Sequence, residues 1–203
     1  LGFTGAYDPW LYINSNAVEA IKQLDDEGKL KIYFRGAYWM DPHQGPEQVE
    51  KIVEAKNRDN EGRNMFKTRA VKFFMDGVLE SITAFLLEPY EKADGRPEGW
   101  RGDQIWDPDN MNKCVAAIDQ AGMGIHVGDA AVKQSLNAIE YAQKVNGRED
   151  RRHCITHIFL VDPNDIHRFK DMGVVAMLNS YWAQIDETYF VNGTYTGMDR
   201  IAH

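Results

Sequence analysis

Several things are scarce in this sequence, and each scarcity excludes something. Its 203 residues include only two cysteines, Cys114 and Cys154. That is too few for the disulfide framework of a small secreted domain, and a reducing, cytoplasmic setting is the expectation. No stretch approaches the roughly 18 consecutive apolar residues of a membrane span. Positive charge is in deficit: 23 Lys and Arg face 31 Asp and Glu, a net charge of −8. A broad surface for nucleic acid or another polyanion is therefore not expected. No Gly-x-Gly-x-x-Gly or Walker pattern follows any apolar run, which weakens a nucleotide-binding sheet. Internal repeats, low-complexity tracts and interdomain linkers are absent from the pattern. So is a signal peptide. The chain starts at Leu1-Gly-Phe-Thr without an initiator Met and stops at Arg200-Ile-Ala-His203, and both ends read as cut from something longer.

What remains is an ordinary globular composition, 43% hydrophobic and 27% charged, arranged in alternation. The apolar runs Gly2–Tyr7, Lys31–Met40, Arg69–Met75, Met123–Val127, Cys154–Val161 and Val174–Leu178 read as strands. Between them, helical spacing marks Ser15–Glu27, Pro46–Ala55, Asp107–Gly122, Ala130–Lys144 and Asp162–Asp171. Asp107-Pro108 and Asp162-Pro163 read as helix caps. The stretch from Thr83 to Trp106 is non-periodic, long enough for a functional loop, and Tyr181–His203 is irregular and aromatic. Near-continuous apolar strands alternating with helices belong to a parallel sheet covered by helices. The candidates are a doubly wound sheet and a (β/α)8 barrel, of whose eight units six are visible.

In a barrel, chemistry sits at the carboxyl ends of the strands. Those ends carry Asp8, Tyr38, Lys72 with Asp76, His126 with Asp129, His157 and Asn179. Lys72, inside Ala70-Val-Lys-Phe-Phe-Met75, is the sharpest. A lysine in a buried strand is costly unless paired or neutralised, and burial favours the nucleophilic free amine. Such an amine forms Schiff bases or takes up carbon dioxide as a carbamate, an anionic ligand able to bridge two metals. The plainer alternative is a lysine that snorkels at the strand's edge or pairs with Asp76. In His153-Cys-Ile-Thr-His157 both histidines would share a strand face, with His157 the deeper. His126 could add a third zinc-type ligand from the neighbouring strand. Cys154 reads as core, not nucleophile. The sequon Asn192-Gly-Thr194 reads as chance. The aromatics Tyr90, Trp100, Trp106, Tyr181 and Trp182 are candidates for a pocket wall, with surface packing the alternative.

These residues carry a resemblance. Val71-Lys-Phe-Phe-Met-Asp-Gly77 with Thr83-Ala84 and Glu88-Pro-Tyr90, then Gly128-Asp-Ala-Ala-Val132 with Ala138-Ile-Glu140, resemble amidohydrolase family 3. That family includes the N-substituted formamide deformylase-like metal-dependent hydrolases. Arg152-His-Cys-Ile-Thr-His157, Asp165–Phe169 and Gly173-Val-Val-Ala176 continue the match in order over nearly the whole chain. The resemblance implies a (β/α)8 TIM barrel of which residues 1–203 are the middle portion. It implies one or two divalent metal ions, zinc by expectation. Lys72 matches the candidate carbamylated ligand and His157 the metal histidine; His126 is a further ligand or pocket residue, and Asp76 orients Lys72 or contacts substrate. The implied reaction is attack of activated water on the carbonyl of a small non-peptide amide, formamide or cyclic amide. Neither nucleic acid nor membrane is implied as a partner; a homo-oligomer is an open expectation.

The sequence also departs from the family. Ile125-His-Val-Gly-Asp129 stands where the family reads His-Ala-Ile-Gly-Asp, as if three residues were missing after Val127. Thr156 stands where the family often has Glu. The first-strand His-x-His pair and the last-strand aspartate have no counterpart between Leu1 and His203. Two alternatives follow: a catalytically inactive barrel fragment serving as a binding or scaffold module, and a metal-free Schiff-base lyase built on Lys72.

Overall fold

Residues 66–74 show how the sheet is made. In Phe66–Phe74, alternate side chains point to opposite faces. Val71 and Phe73 go to one side and are fully buried against helices, while Lys72 and Phe74 go to the other. We describe the chain from a computed structural model that defines residues 2–128 and 131–201. The six strands are β1 (Gly5–Leu11), β2 (Tyr33–Trp39), β3 (Phe66–Phe74), β4 (Gly124–Gly128), β5 (Cys154–His157) and β6 (Val175–Leu178). All pair in parallel and in chain order. Helices alternate with them: α1 (Asn16–Asp26), α2 (Gln48–Asn60), α3 (Pro108–Gln120), α4 (Val132–Asn146) and α5 (Ile166–Met172), followed by α6 (Glu187–Thr196) and α7 (Met198–Ile201).

The sheet is curled. Neighbouring strands lie about 4.8 Å apart, so β1 and β4 in a flat sheet would be separated by roughly 14 Å. Yet the Tyr7 ring of β1 lies 5.2 Å from the His126 ring of β4. Trp10 of β1 likewise reaches Phe74 of β3 at 4.8 Å. The six strands therefore form a half-barrel with the helices outside, and β1 and β6 are its edges among the described residues. Outward side chains Val71, Phe73, Ile125, Val127 and Ile155 pack under Ile52, Val115, Ile118, Leu136 and Ile139, all buried. At about 1.5–3 kcal/mol for each large apolar side chain, this layer dominates stability. The β6 edge differs: Val175, Met177 and Leu178 are all exposed, Leu178 at 70%.

Boundaries move where turn chemistry outweighs the apolar pattern. The first strand begins at Gly5 and runs past Tyr7 through Pro9 to Leu11. Proline is tolerated there because β1 is an edge and its register slips between Asp8 and Leu11. β5 stops at His157, short of Val161, because His157 and Ile158 both adopt positive φ, 74° and 46°, which a strand cannot continue. Asp107 caps α3 as expected, its side chain accepting from the Asn110 amide at 2.8 Å. Asp162 does not cap α5; it accepts from the Asn164 amide and pairs with Lys133 at 2.8 Å, and Asp165 takes the cap position.

The long stretch after β3 folds as its own small core of Leu79, Ala84, Leu86 and Tyr90. Tyr90 donates its hydroxyl to the Ala84 carbonyl at 2.9 Å, and Trp100 donates its indole N–H to the Ile82 carbonyl at 2.7 Å. At Gly102, φ is 101° and a Cβ would strike the Ala84 backbone, so only glycine fits.

Candidate functional site

The inner face of the half-barrel collects nitrogen and sulfur donors. Lys72 on β3, His126 on β4 and Cys154 on β5 are register partners in a row, and each is at most 9% exposed. His126 Nδ1 lies 3.2 Å from Cys154 Sγ. Burial, and then the charges of Lys72 and His157, push the His126 imidazole down to about 3, so it stays neutral across ordinary pH. Burial pushes the Cys154 thiol up to about 11, with Lys72 opposing. That thiol is therefore not a ready nucleophile.

Lys72 does not stop at its register partner. Its amine extends toward the carboxyl end of the strands, lying 4.4 Å from the Phe74 ring centre, to the bare face of Gly128. A Cβ at Gly128 would collide with Lys72 Nζ and sit 3.6 Å from His157 Cε1. Glycine thus leaves the space in which the amine and the imidazole meet. His157 gets there by its backbone. On a regular strand it would alternate away from the inner-facing Cys154 and Thr156, but the left-handed φ at the strand's last residue redirects it. Positive φ at a non-glycine residue is strained and concentrates at functional sites.

Other expected site residues divide. Asp76 is buried, and its Oδ2 accepts from the Phe85 amide at 2.6 Å, tying the loop after β3 to the strand end. Tyr38 faces outward, donating its hydroxyl to Asp59 at 2.5 Å, and is not at the site. His153 does not share the face of His157. It precedes β5 and lies outside the sheet, where Nδ1 accepts from the Ile125 amide and Nε2 donates to Asp119 at 3.1 Å. Asp8 closes a local turn with the Trp10 amide. The Asn179 carbonyl accepts from the Trp182 amide in the turn after β6. Asp129 lies outside the described residues, as does His203. β4 runs unbroken through Val127-Gly128, with Gly128 opposite Phe74.

Among the suggested wall aromatics, Trp106 is buried against Phe73 in the main core and Tyr90 in the small one. Trp182 does reach the site: its ring lies 4.9 Å from His157 and stacks on Phe159 at 4.7 Å and 6°. Asn192 of the sequon is only 5% exposed, which removes it as a glycan acceptor in the folded chain. Sequence patterning names Gly128 only as part of a motif and misses the open face it leaves beside Lys72 and His157.

For a metal, the fit is partial. Lysine and histidine donors converge on a cradle that a Cβ would fill, as a carbamate-bridged site requires. Among the described residues, no group of three His, Cys, Asp or Glu side chains is placed to hold an ion. No helix is long and apolar enough to cross a membrane.

A model of the amidohydrolase family matches residues 1–196. The exoenzymes regulatory protein AepA of Pectobacterium carotovorum subsp. carotovorum is 30% identical over 179 residues, covering 85% of this chain and 36% of AepA. A crystal structure of an uncharacterized metal-dependent hydrolase from Pyrococcus furiosus matches 97% of this chain and 37% of its own, with a TM-score of 0.72 at 24% identity. A counterpart from Pyrococcus horikoshii OT3 gives 0.70 at 19% identity, over 97% and 36%. At these identities the structural likeness speaks for the fold. The chain spans little more than a third of the length of each of these relatives.

Proposed function

The chain belongs to the amidohydrolase family, and on that premise we propose that it supplies the central part of a metal-dependent hydrolase acting on a small non-peptide amide, formamide or cyclic amide. The reading is carried by one observation: the Lys72 amine and the His157 ring meet over the bare face of Gly128, at the carboxyl ends of β3, β4 and β5. This is the end of a βα barrel where substrates are handled. Lys72, as its carbamate, and His157 would hold a divalent ion there, zinc by expectation. A bound ion supplies the chemistry of lowering the pKa of a water and polarising the carbonyl.

The chain's own residues do the rest. His126, held neutral, offers a lone pair and no charge, and the Cys154 contact fixes its ring. Asp76 anchors the Phe85 amide, which ties the loop after β3 to the strand end beside Lys72. Trp182 covers the outer side of His157.

The test is metal content by elemental analysis, together with electron density at the tip of Lys72. Zinc near stoichiometric, and density for a carbamate, are expected. Lys72→Ala should lower zinc affinity more than about a hundredfold, beyond the roughly 10–100-fold loss typical of a mere supporting group. Short carboxylic acids, standing in for the carbamate oxygens, should partly restore it. Unchanged occupancy in the variant overturns the reading, as does borohydride trapping of a Lys72 adduct on a metal-free wild-type chain.

A further inference from the structure

One buried titratable group takes no part in the proposed chemistry. His153 is 2% exposed and lies outside the sheet, yet both of its ring nitrogens are engaged. Nδ1 lies 3.2 Å from the Ile125 amide. A backbone N–H only donates, so Nδ1 carries no proton. The ring's proton is on Nε2, which donates to Asp119 Oδ1 at 3.1 Å. Burial pushes the imidazole below its ordinary pKa, with Asp119 opposing, in keeping with a neutral ring. Asp119 is itself held. Its Oδ2 accepts from Asn146 Nδ2 of α4 at 2.8 Å, and Arg151 Nε lies 3.8 Å from Oδ1.

Where this ring stands matters more than that it is buried. The β4–β5 ladder has its first rung at His126 opposite Cys154, followed by Val127 opposite Ile155. The residues of that first rung are the inner donors, with His126 Nδ1 3.2 Å from Cys154 Sγ. The His153 bridge lies one residue earlier on both strands: Ile125 precedes His126, and His153 precedes Cys154. There the β4 amide meets a side-chain nitrogen where a ladder would present a backbone carbonyl. Ile125 is fully buried, so water offers its N–H no substitute. The turn that delivers His153 is strained: Arg152 has a φ of 56°, costly for a non-glycine residue and persisting only where its surroundings enforce it.

We propose that His153 is a positioning residue for the site: from outside the sheet its ring pins the first rung of the β4–β5 ladder, and so sets where His126 stands on the inner face. Asp119 is the anchor, holding the ring so that Nδ1 faces β4. That His126 serves a metal rests on the hydrolase reading; that His153 places His126 does not.

Two amide variants divide the ring into its halves. In His153→Asn, Oδ1 is as many bonds from Cα as Nδ1 was, so it still accepts from Ile125, but nothing reaches Asp119. In His153→Gln, the amide nitrogen is as many bonds from Cα as the ring's Nε2, so it still donates to Asp119, but no acceptor stands beside Ile125. The full chain, isotope-labelled in nitrogen and held in chelator-treated buffer, is followed by NMR. The wild type should show a nitrogen–nitrogen coupling across the hydrogen bond from the Ile125 amide to His153 Nδ1. His153→Asn should keep the wild-type ring-nitrogen shifts of His126. His153→Gln should move those shifts and speed hydrogen exchange at the Ile125 amide about threefold to tenfold, the size of one net hydrogen bond. A histidine that only stabilises the fold gives no such split between the variants. Three results overturn the proposal: no coupling in the wild type, His126 shifts unmoved in His153→Gln, or His126 shifts moved in His153→Asn. Where one variant does not fold, the wild-type coupling and the other variant decide. The chain carries no metal in these spectra. Failure of the hydrolase reading appears separately, as absent zinc in zinc-supplied protein, and leaves this result untouched.

Discussion

On the helix side of β2, Asp59 is fully buried and receives Tyr38 at 2.5 Å, Lys22 at 2.9 Å and Arg58 at 2.8 Å. On the inner side of β3 and β4, Lys72 and His126 are buried to nearly the same degree, but they meet a thiol, an imidazole and the open face of a glycine. The outer cluster is one carboxylate surrounded by its donors. The inner cluster gathers groups whose lone pairs can bind an ion. Burial is the same on both sides, and only composition separates a brace from a site. If that is right, damage to the two clusters should have different signatures.

The largest expected effect is at the brace. Asp59→Ala leaves the Tyr38 hydroxyl buried without its acceptor and Lys22 with Glu19 as its remaining carboxylate, and breaking a buried pair from one side costs about 3–5 kcal/mol. Urea unfolding measures it. Zinc bound per folded molecule should not change. A variant that keeps its stability but loses zinc would reverse the assignment of the two clusters.

The next effect is acid sensitivity, from the same carboxylate. Burial alone would raise the Asp59 pKa, but the hydrogen bonds from Arg58, Tyr38 and Lys22 outweigh it and hold it at about 2, against an ordinary 3.8. A depressed folded pKa gives stability that is complete above the unfolded value and is lost as pH falls toward the folded one. Between pH 4 and pH 2 the chain should lose about 2 kcal/mol from this group. Asp59→Asn should flatten that part of the stability–pH curve. An equally steep curve in the Asp59→Asn variant would place the acid response elsewhere.

The two clusters also differ in how far the sequence reveals them. Lys72 stands out because a lysine in an apolar strand violates the pattern, and His126 and His157 stand out at strand ends. The six alternating units are legible for the same reason, as is the cap at Asp107. Asp59 is not, because a charged residue in a charged helix reads as solvated surface until Tyr38 is known to point outward. Tyr38 itself reads as a site residue at a strand end, yet a register shift between Gly36 and Ala37 changes which face a residue takes. The spacing of His153 and His157 predicts one shared face, and the positive φ at His157 separates them. A cavity between α6 and the loops after β3, β5 and β6 depends on packing that has no period to read.

A smaller effect probes the cradle. Gly128→Ala places a methyl group where the Lys72 amine now sits. Overpacking costs about 1–3 kcal/mol. The colliding atom is the tip of a flexible side chain, so the low end, about 1 kcal/mol, is expected in urea unfolding. Zinc affinity should fall much more than stability, because the displaced amine is the group whose carbamate is the proposed ligand. This is the opposite of the Asp59→Ala signature. Equal loss of stability and no loss of zinc would make Gly128 a packing residue and the inner cluster a second brace.

The smallest effect tests whether the His126–Cys154 contact joins two neutral groups. Cys154 is a thiol with its pKa pushed up to about 11 by burial, and it faces an imidazole that burial holds neutral. A contact between two uncharged groups, one of them a weak sulfur donor, contributes about 1 kcal/mol or less. Cys154→Ala should therefore cost little in urea unfolding. A pKa near 11 leaves on the order of one thiolate in a thousand at pH 8. In the native chain, Cys154 should then react with iodoacetamide far more slowly than in the unfolded chain, where the thiolate is common. Fast native labelling at Cys154, mapped by mass spectrometry, would mean a thiolate–imidazolium pair. The His126–Cys154 contact would then be an ion pair, and the distinction between brace and site would have to rest on Lys72 and His157 alone.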